Sequence, residues 1–251
     1  MSVNRQSLEG KWVLITGAAR RVGASIARSL HDAGASVALH YRDSAGPAAE
    51  LAAEFNAKRR DSALPVAADL LDHTALPRLV DAVVGRTGRL DVLINNASSF
   101  YPTPLGAVTP AQWDDLVGTN LKAPLFLSQA ALPHLRASRG VIVNLIDIHA
   151  VRPLRNHPVY GAAKAGLAML TRSLARDLAP DIRVNGIAPG AVLWPDDGIE
   201  ERTRDSIIRQ IPLQRAGSPE DIAGCVLFLV RDAPYVTGQI VTVDGGRSIG
   251  W

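Results

Sequence analysis

The sequence predicts an α/β fold built on one doubly wound parallel sheet of seven strands. Short apolar segments alternate with longer amphipathic ones along all 251 residues, which is the pattern of strand-helix units around a parallel sheet. A glycine-containing turn follows the first apolar segment and opens a helix. No Pro/Gly/Ser-rich linker, repeat or low-complexity tract interrupts the alternation. We therefore expect a single domain over residues 1–251.

The elements follow in order along the chain. The predicted strands are the short apolar segments at residues 12–16, 36–41, 63–67, 91–95, 141–145, 183–187 and 240–243. The longer segments between them predict helices near residues 21–33, 47–59, 74–86, 110–135, 157–179, 199–209 and 218–231. The Ala-rich stretch at 48–57 is ordinary helix composition. Seven strands with about six crossovers fit a Rossmann-type sheet with helices on both faces.

The composition excludes several classes of protein. Hydrophobic residues make up 47% of the chain and charged residues 20%, with one cysteine, so the chain is not disordered, fibrous or a disulfide scaffold. The longest apolar run, residues 222–230, is about half as long as a membrane-spanning helix. The first eleven residues lack the apolar core of a secretory signal. We expect a cytoplasmic protein in which Cys225 is a buried thiol.

The formal net charge is +3, and 23 of the 27 basic residues are arginine. An arginine excess suits planar recognition of phosphate, but genome composition produces the same excess. The arginines are scattered, without the basic run or interleaved aromatic residues that a nucleic-acid surface carries. We therefore expect that the protein binds neither a nucleic acid nor a membrane.

In a doubly wound sheet, ligands bind beyond the carboxyl ends of the strands, where the winding reverses. The segments that follow the predicted strands should therefore surround one crevice. They are residues 16–23, 40–44, 68–70, 95–102, 147–153 and 188–190.

The turn TGAARRVG, residues 16–23, carries the first chemical signal. Gly17 permits a tight turn, and Gly23 lets the helix lie close to the sheet, so that a pyrophosphate can meet the free N–H groups of the helix N-terminus. The alternative is a tight turn that binds no ligand. With a strand before it and a helix after it, this turn predicts a dinucleotide site.

The end of the second strand, HYRDS at residues 40–44, indicates which dinucleotide binds. An NAD site usually carries an acid here for the ribose 2′-hydroxyl. Arg42 and Arg20 can instead pair with a 2′-phosphate, which predicts NADP(H). Asp43 opposes this prediction, one position later than an NAD-type acid, so the strictness for NADPH over NADH stays open.

Tyr160 and Lys164 are four residues apart on a predicted helix and therefore share one face. A lysine cation beside a phenol lowers the pKa of the phenol, which predicts that Tyr160 is an acid or base usable near neutrality. The alternative is an ordinary tyrosine on a helix surface.

These motifs, together with Asn95-Asn96-Ala97, Asn120 and Pro189-Gly190, resemble the short-chain dehydrogenase/reductase family over essentially the whole chain. The resemblance implies a nicotinamide-dependent oxidoreductase with Tyr160 as proton donor. It implies that Lys164 holds the cofactor ribose and that Asn120 supports a proton-relay water. The family usually has a serine at the position of Asp147, and we expect this carboxylate to take part in relaying a proton, which a hydroxyl does less well. The predicted cofactor contacts are Gly17, Arg20, Arg21, Val22, Gly23, His40, Tyr41, Arg42, Ser44, Asp69, Leu70, Asn96, Ala97, Ser98, Tyr160, Lys164, Pro189 and Gly190.

Three departures from the common family pattern narrow the substrate. Asp147 stands thirteen residues before the tyrosine, Arg21 replaces a loop glycine, and Ser98 replaces the glycine after Asn-Asn-Ala. With NNASSFYPTPL at 95–105, these departures resemble the pteridine reductase branch. That resemblance implies that Phe100 stacks on a flat pterin whose polar edge meets the other substrate residues. The predicted substrate contacts are Arg21, Ser98, Phe100, Asp147, Tyr160 and Trp194.

For several of these residues, a purely structural role is the alternative to a functional one. Asp147 is alternatively a turn-capping residue, and Phe100 a core aromatic under a loop. Trp194 lies in the segment 191–203, where the family carries its mobile substrate loop, and is alternatively one packed aromatic on a surface loop. His149 and His157 flank the site, but their spacing does not fit a metal, so no metal is expected.

The sequence thus predicts a cytoplasmic NADPH-dependent pteridine reductase that reduces dihydropterins, and possible further substrates are dihydrofolate and oxidised pterins. One rival is a short-chain reductase of another carbonyl, such as a 3-oxoacyl thioester or a sugar. A second is a non-catalytic NADP(H)-sensing regulator, which has no need of the Tyr/Lys pair. The family resemblance also implies a homotetramer, in which the terminal Trp251 packs at a subunit interface near a neighbour's active site.

Overall fold

The computed structural model describes residues 7–192 and 200–249, and its centre is one parallel sheet. The seven strands run in the order β3-β2-β1-β4-β5-β6-β7, and every neighbouring pair is parallel. Their bounds are β1 Trp12–Ile15, β2 Ser36–Tyr41, β3 Ala63–Ala67, β4 Val92–Asn95, β5 Val141–Leu145, β6 Arg183–Pro189 and β7 Ile240–Val243. The predicted doubly wound parallel sheet of seven strands is confirmed.

The helices lie close to their predicted positions, with one systematic difference. Their bounds are α1 Arg21–Asp32, α2 Ala45–Lys58, α3 Ala75–Thr87, α4 Pro110–Val117, α5 Ala123–Ser138, α6 Pro158–Leu178, α7 Glu201–Arg209 and α8 Pro219–Leu227. The helix predicted at 110–135 is interrupted by a π-helical segment, Gly118–Lys122, and a second such segment, Phe228–Asp232, follows α8. A π-turn keeps the chain helical and apolar on one face, so hydrophobic periodicity does not reveal it.

Helices cover both faces of the sheet because the strand side chains alternate between the two sides. Val13 and Ile15 of β1 pack in one cluster with apolar residues of α1, α2 and α8. Leu14, between them, packs on the opposite face with residues of α3, α5 and α6. All three of these β1 side chains are fully buried. The strands are therefore fixed in register, and so are the segments that leave their carboxyl ends.

The expectation of a buried thiol at Cys225 is wrong in degree. Cys225 is half-buried. It packs against the apolar cluster that contains Val13 and Ile15 of β1 and Ile222 and Val226 of α8. Burial still raises the pKa of the thiol above its ordinary value, so it is a poor nucleophile. Within residues 7–192 and 200–249, no helix has the length and apolarity that crossing a membrane requires.

The winding of the sheet reverses beside β1, because β2 lies on one side of it and β4 on the other. The loops that leave β1 and β4 therefore separate to opposite sides and leave a crevice between them. The amide of Thr16 donates to the carbonyl of Ile94 at 3.0 Å and closes the floor of this crevice.

Candidate active site

The turn between β1 and α1 has the backbone that a bound pyrophosphate requires. Gly17 has a positive φ of 62°, and Arg21, the first residue of α1, has a positive φ of 54°. A Cβ atom on Gly23 would lie 2.2 Å from the carbonyl oxygen of Gly17, so a side chain is excluded there. The turn thus packs directly on the first turn of α1 and leaves the helix N-terminus open to an anion.

His40 braces this turn from below. The amide of Gly17 donates to Nδ1 of His40 at 3.1 Å, and Nε2 of His40 lies 3.1 Å from the carbonyl oxygen of Ala68. These partners require a neutral ring with the proton on Nε2. Burial lowers the pKa of His40 to about 4, so the ring is neutral throughout the physiological range. His40 therefore joins the ends of β1, β2 and β3 in one hydrogen-bonded unit.

The loop after β4 is tied to the same turn by Thr16, a residue that the sequence interpretation missed. The Thr16 hydroxyl accepts the amides of Asn96 at 2.9 Å and Ala97 at 3.0 Å. The Asn96 side chain in turn donates to the carbonyls of Thr16 at 2.8 Å and Gly17 at 3.1 Å. Asn96 thus supports the cofactor turn, and its predicted contact with the ribose stays a prediction. Its position directly after a predicted strand was the one sequence signal that could have indicated a role for Thr16 in the site.

The end of the crevice beyond β2 carries a pair of opposite charges. The Arg42 guanidinium donates from Nε to Oδ2 of Asp43 at 2.7 Å, and the hydrogen bond to Asp43 raises the pKa of Arg42. The two side chains are 55% and 77% exposed, so the pair contributes little to stability and is easily exchanged for another partner. Arg20 and Ser44 line the same crevice. A phosphate group there would compete with Asp43 for Arg42.

Tyr160 and Asp147 form the central contact of the site. The Tyr160 hydroxyl donates to Oδ2 of Asp147 at 2.8 Å, while Oδ1 of the same carboxylate accepts the amide of His149 at 2.8 Å. Burial, with the Asp147 charge and hydrogen bond, raises the pKa of Tyr160 well above its ordinary value. Asp147 therefore caps the short 3₁₀-helix Ile148–Ala150 and also contacts the tyrosine.

The predicted lowering of the Tyr160 pKa by Lys164 is wrong for this structure. Lys164 Nζ lies 5.7 Å from the centre of the tyrosine ring and donates to the carbonyl of Leu145 at 2.9 Å. Lys164 is itself fully buried, and desolvation lowers its pKa to about 8. The Asp147 carboxylate is the nearer charge, and it stabilises the neutral phenol.

Asn120 lies in the π-helical segment, completely buried. Its side chain donates to the carbonyls of Ser99 and Leu116, both at 2.9 Å, and its Oδ1 accepts the Ser98 hydroxyl at 2.6 Å. The side chain therefore links the loop after β4 to the end of α4. A π-turn widens the helix locally, and such turns often occur at functional sites.

Phe100 forms an aromatic wall at the mouth of the site. Its ring stacks on His157 with centroids 4.8 Å apart and an interplanar angle of 13°. It also meets the Tyr160 ring edge-on, with centroids 4.8 Å apart at 76°. The Phe100 side chain is 54% exposed, which corrects the alternative that it is a core aromatic. His157 touches this wall, whereas Nδ1 of His149 bonds the carbonyl of Arg152 at 2.9 Å.

A cavity of about 490 Å³ is lined by all predicted cofactor contacts except Gly190. The predicted catalytic residues Asn120 and Asp147 and the predicted substrate residue Phe100 do not line it. Gly190 packs on Asp244 instead, where a Cβ would lie 2.6 Å from the Asp244 Cβ. Thr119 and Ile146 also line the cavity and were not predicted. Trp194 and Trp251 lie outside the described residues.

The chain's last described turn comes close to Asp147. Arg152 donates to the carbonyl of Arg247. Burial lowers the pKa of the half-buried Arg247, and the Asp147 charge acts in the opposite direction. Nothing in the local sequence around Arg247 predicts this approach, because it depends on the strand order, in which β6 alone separates β5 from β7.

Comparisons with known proteins agree with this architecture. The family model described as enoyl-(acyl carrier protein) reductase matches residues 17–248. A pteridine reductase 1 of Leishmania tarentolae is 39% identical, over 94% of this chain and 96% of that protein. A 3-oxoacyl-(acyl-carrier-protein) reductase of Staphylococcus aureus is 38% identical, over 94% and 97%. A solved structure from Sinorhizobium meliloti, described as a short-chain alcohol dehydrogenase, superposes with a TM-score of 0.92 at 36% identity, over 98% of this chain and 99% of that one.

The class defined by fold and site is therefore that of the nicotinamide-dependent oxidoreductases. The chain belongs to the short-chain dehydrogenase/reductase family, which confirms the resemblance found in the sequence. Its two curated relatives above differ in substrate at nearly equal identity. The choice between their substrates must therefore be argued from the site.

Proposed function

We propose that the protein is an NADPH-dependent pteridine reductase that reduces dihydropterins to their tetrahydro forms. The observation that carries the proposal is the 2.8 Å hydrogen bond from Tyr160 to the Asp147 carboxylate, beside the half-exposed ring of Phe100. A pterin is flat and has ring nitrogens along its edge, so it suits an aromatic wall next to a proton-relaying pair. The similarity to a pteridine reductase 1 supports the same choice.

The residues of the crevice fit NADPH. The absence of a side chain at Gly23 lets the turn pack directly on α1, which leaves the N-terminus of that helix open to a pyrophosphate. Arg42, which lines the same cavity as Arg20, would hold the 2′-phosphate after exchanging Asp43 for it. The buried Lys164 has donors left beyond its bond to Leu145 and would hold the ribose. When bound, NADPH supplies the hydride.

Tyr160 and Asp147 would supply the proton. The raised pKa keeps Tyr160 protonated at neutral pH, as a donor in a reduction must be. Once the tyrosine has given its proton to a ring nitrogen, the adjacent carboxylate disfavours the phenolate that remains. Asp147, which already shares the tyrosine proton, would then relay a replacement from solvent. A serine at this position would relay less effectively, since a carboxylate accepts a proton more readily.

A 3-oxoacyl thioester reductase is the second candidate, favoured by the relative at 38% identity. Asp147 and Phe100 argue against it, because an acyl chain requires neither of them. The non-catalytic regulator is disfavoured because Tyr160 is buried in contact with Asp147 at the cavity, an arrangement that a sensor does not need. We further propose a homotetramer, which sedimentation of the full chain would test.

One assay separates these functions. NADPH oxidation is followed by absorbance with dihydrobiopterin, dihydrofolate and an acetoacetyl thioester, each over a range of concentrations. We expect the highest kcat/KM with dihydrobiopterin. A higher kcat/KM with the thioester would replace the proposal by the second candidate, and no turnover with any of them would support the regulator.

A further inference from the structure

The loop that carries Ser98 and Phe100 needs an external support. Residues 96–104 form neither helix nor strand, although they present the aromatic wall to the site. A half-exposed ring on an irregular segment has many accessible positions, and stacking on a substrate requires one of them. The first part of the loop is held by Thr16 and Asn120, as described above. The second part is held by a carboxylate on α4.

Asp115 accepts hydrogen bonds from Ser99 and Tyr101, the two residues that flank Phe100 in the chain. The Tyr101 hydroxyl donates to Oδ2 of Asp115 at 2.8 Å, and the Ser99 hydroxyl donates to Oδ1 at 3.3 Å. The Ser99 oxygen also lies 3.3 Å from the hydroxyl of Thr119. Burial and the hydrogen bond to Asp115 raise the pKa of Tyr101, so this phenol stays protonated and keeps donating. Both neighbours of Phe100 in the chain are thus tied to one carboxylate.

The helix that carries Asp115 is in turn fixed against the catalytic tyrosine. Leu116, the next residue of α4, is completely buried in a cluster with Val159 and Tyr160 of α6. The ring of Tyr101 packs against the same cluster. A capping box between Thr109 and Gln112 fixes the start of α4. The distance between Phe100 and Tyr160 is therefore set by one continuous set of contacts.

We infer that Tyr101, Asp115 and Ser99 form a positioning network that sets the aromatic wall at the spacing a flat heterocyclic substrate requires. Ser99 lines the cofactor cavity, whereas Tyr101 and Asp115 do not, so these two residues act on the site through Phe100. The substrate named here rests on the proposed function. The positioning itself depends only on the described contacts.

Tyr101→Phe is the decisive variant, because it keeps the packed ring and the charge of Asp115 and removes only the donated hydrogen bond. We expect the KM for dihydrobiopterin to rise about tenfold, as for loss of one hydrogen bond to a charged group. The KM for NADPH should stay within about twofold of wild type, because the cofactor turn is held separately by Thr16 and His40. Amide hydrogen exchange of residues 98–103 should become faster.

Asp115→Ala should give a larger rise in the same KM, and Asp115→Asn a partial rescue, since the carboxamide keeps one acceptor. Asp114→Ala is the matched control, an exposed carboxylate one position earlier on α4. If wild type does not reduce dihydrobiopterin, the proposed function is wrong, and the network is then tested by exchange and by the KM of the substrate that is accepted. Unchanged exchange in Tyr101→Phe, or faster exchange with an unchanged substrate KM, would overturn the network.

Discussion

Asp147 has both of the roles that its sequence position suggests, a contact with the catalytic tyrosine and a cap on the following turn. The thirteen-residue spacing to the tyrosine favours a catalytic role, and its place after a strand favours a turn cap. The structure contains both contacts, because a carboxylate has two oxygens and each accepts a separate donor. The cap fixes the carboxylate, and burial together with this fixed carboxylate raises the pKa of Tyr160 and keeps it neutral.

Tyr160→Phe tests the proton step at this scale. We expect kcat for dihydrobiopterin to fall by about 10²- to 10⁴-fold, the usual contribution of a positioned proton donor. NADPH affinity, measured by fluorescence titration, should be nearly unchanged because the ring remains in its cluster. Tyr235→Phe, at a fully exposed tyrosine, is the control. Full activity in Tyr160→Phe would remove the proposed role.

The buried Lys164 gives a second test through pH. Its pKa is lowered from 10.5 to about 8 in the folded state, so the unfolded chain binds the extra proton between these values. Stability should therefore rise with pH over this window, by about 1.5 kcal/mol between pH 8 and pH 9.5. Urea unfolding of the cofactor-free protein at the two pH values measures the change. The rise should disappear in Lys164→Met, and an equal rise in that variant would assign it to another group.

At the scale of elements, the regular parts were predictable because local pattern determines them. The strands are short apolar runs flanked by turns, and the α1 turn carries its own glycines. The π-helical segment around Asn120 was not predictable, since it shifts one backbone hydrogen bond without changing the apolar face. The partnership of Tyr101 with Asp115 likewise depends on how the loop after β4 folds against α4, which no periodicity describes.

Gly23→Ala tests the turn as an element. Its Cβ would meet a backbone carbonyl at 2.2 Å, so the turn and α1 must separate. We expect NADPH affinity to fall by at least about tenfold and stability to fall by about 1–3 kcal/mol, the usual cost of overpacking. Gly46→Ala in α2 is the matched control, because a Cβ there meets nothing within 4 Å and alanine favours the helix. If Gly23→Ala binds NADPH as well as Gly46→Ala does, the packing argument is wrong.

At the scale of the whole molecule, the position of the crevice could be predicted from the sequence, but the side-chain contacts within it could not. The rule for doubly wound sheets brings the strand ends together, and residues from five of the six predicted segments line the cavity, with none from 147–153. The pairs of charged side chains around the crevice could not be predicted from the sequence. Arg247 approaches Asp147 because the strand order brings the carboxyl ends of β5 and β7 to the same edge of the sheet, and the pair of Arg42 with Asp43 depends on side-chain geometry. The single domain and a mobile substrate loop at 191–203 stay predictions.

Cofactor choice is a property of the whole folded chain, because only the folded state binds the dinucleotide. At a concentration 100 times its Kd, a ligand adds about 2.7 kcal/mol to the free energy of unfolding. For a chain of this length, that raises Tm by about 5–10 °C. If Arg42 exchanges Asp43 for the 2′-phosphate, NADPH should raise Tm more than an equal concentration of NADH.

Arg42→Ala should reduce the NADPH shift to that of NADH and leave the NADH shift unchanged. Arg60→Ala, which removes an exposed arginine paired with Asp61, should leave both shifts unchanged. Asp43→Ser should increase the NADPH shift, because it removes the carboxylate that competes with the phosphate for Arg42. Equal shifts with the two cofactors in wild type would mean that Asp43 keeps its hold on Arg42 and that the protein uses NADH as readily as NADPH.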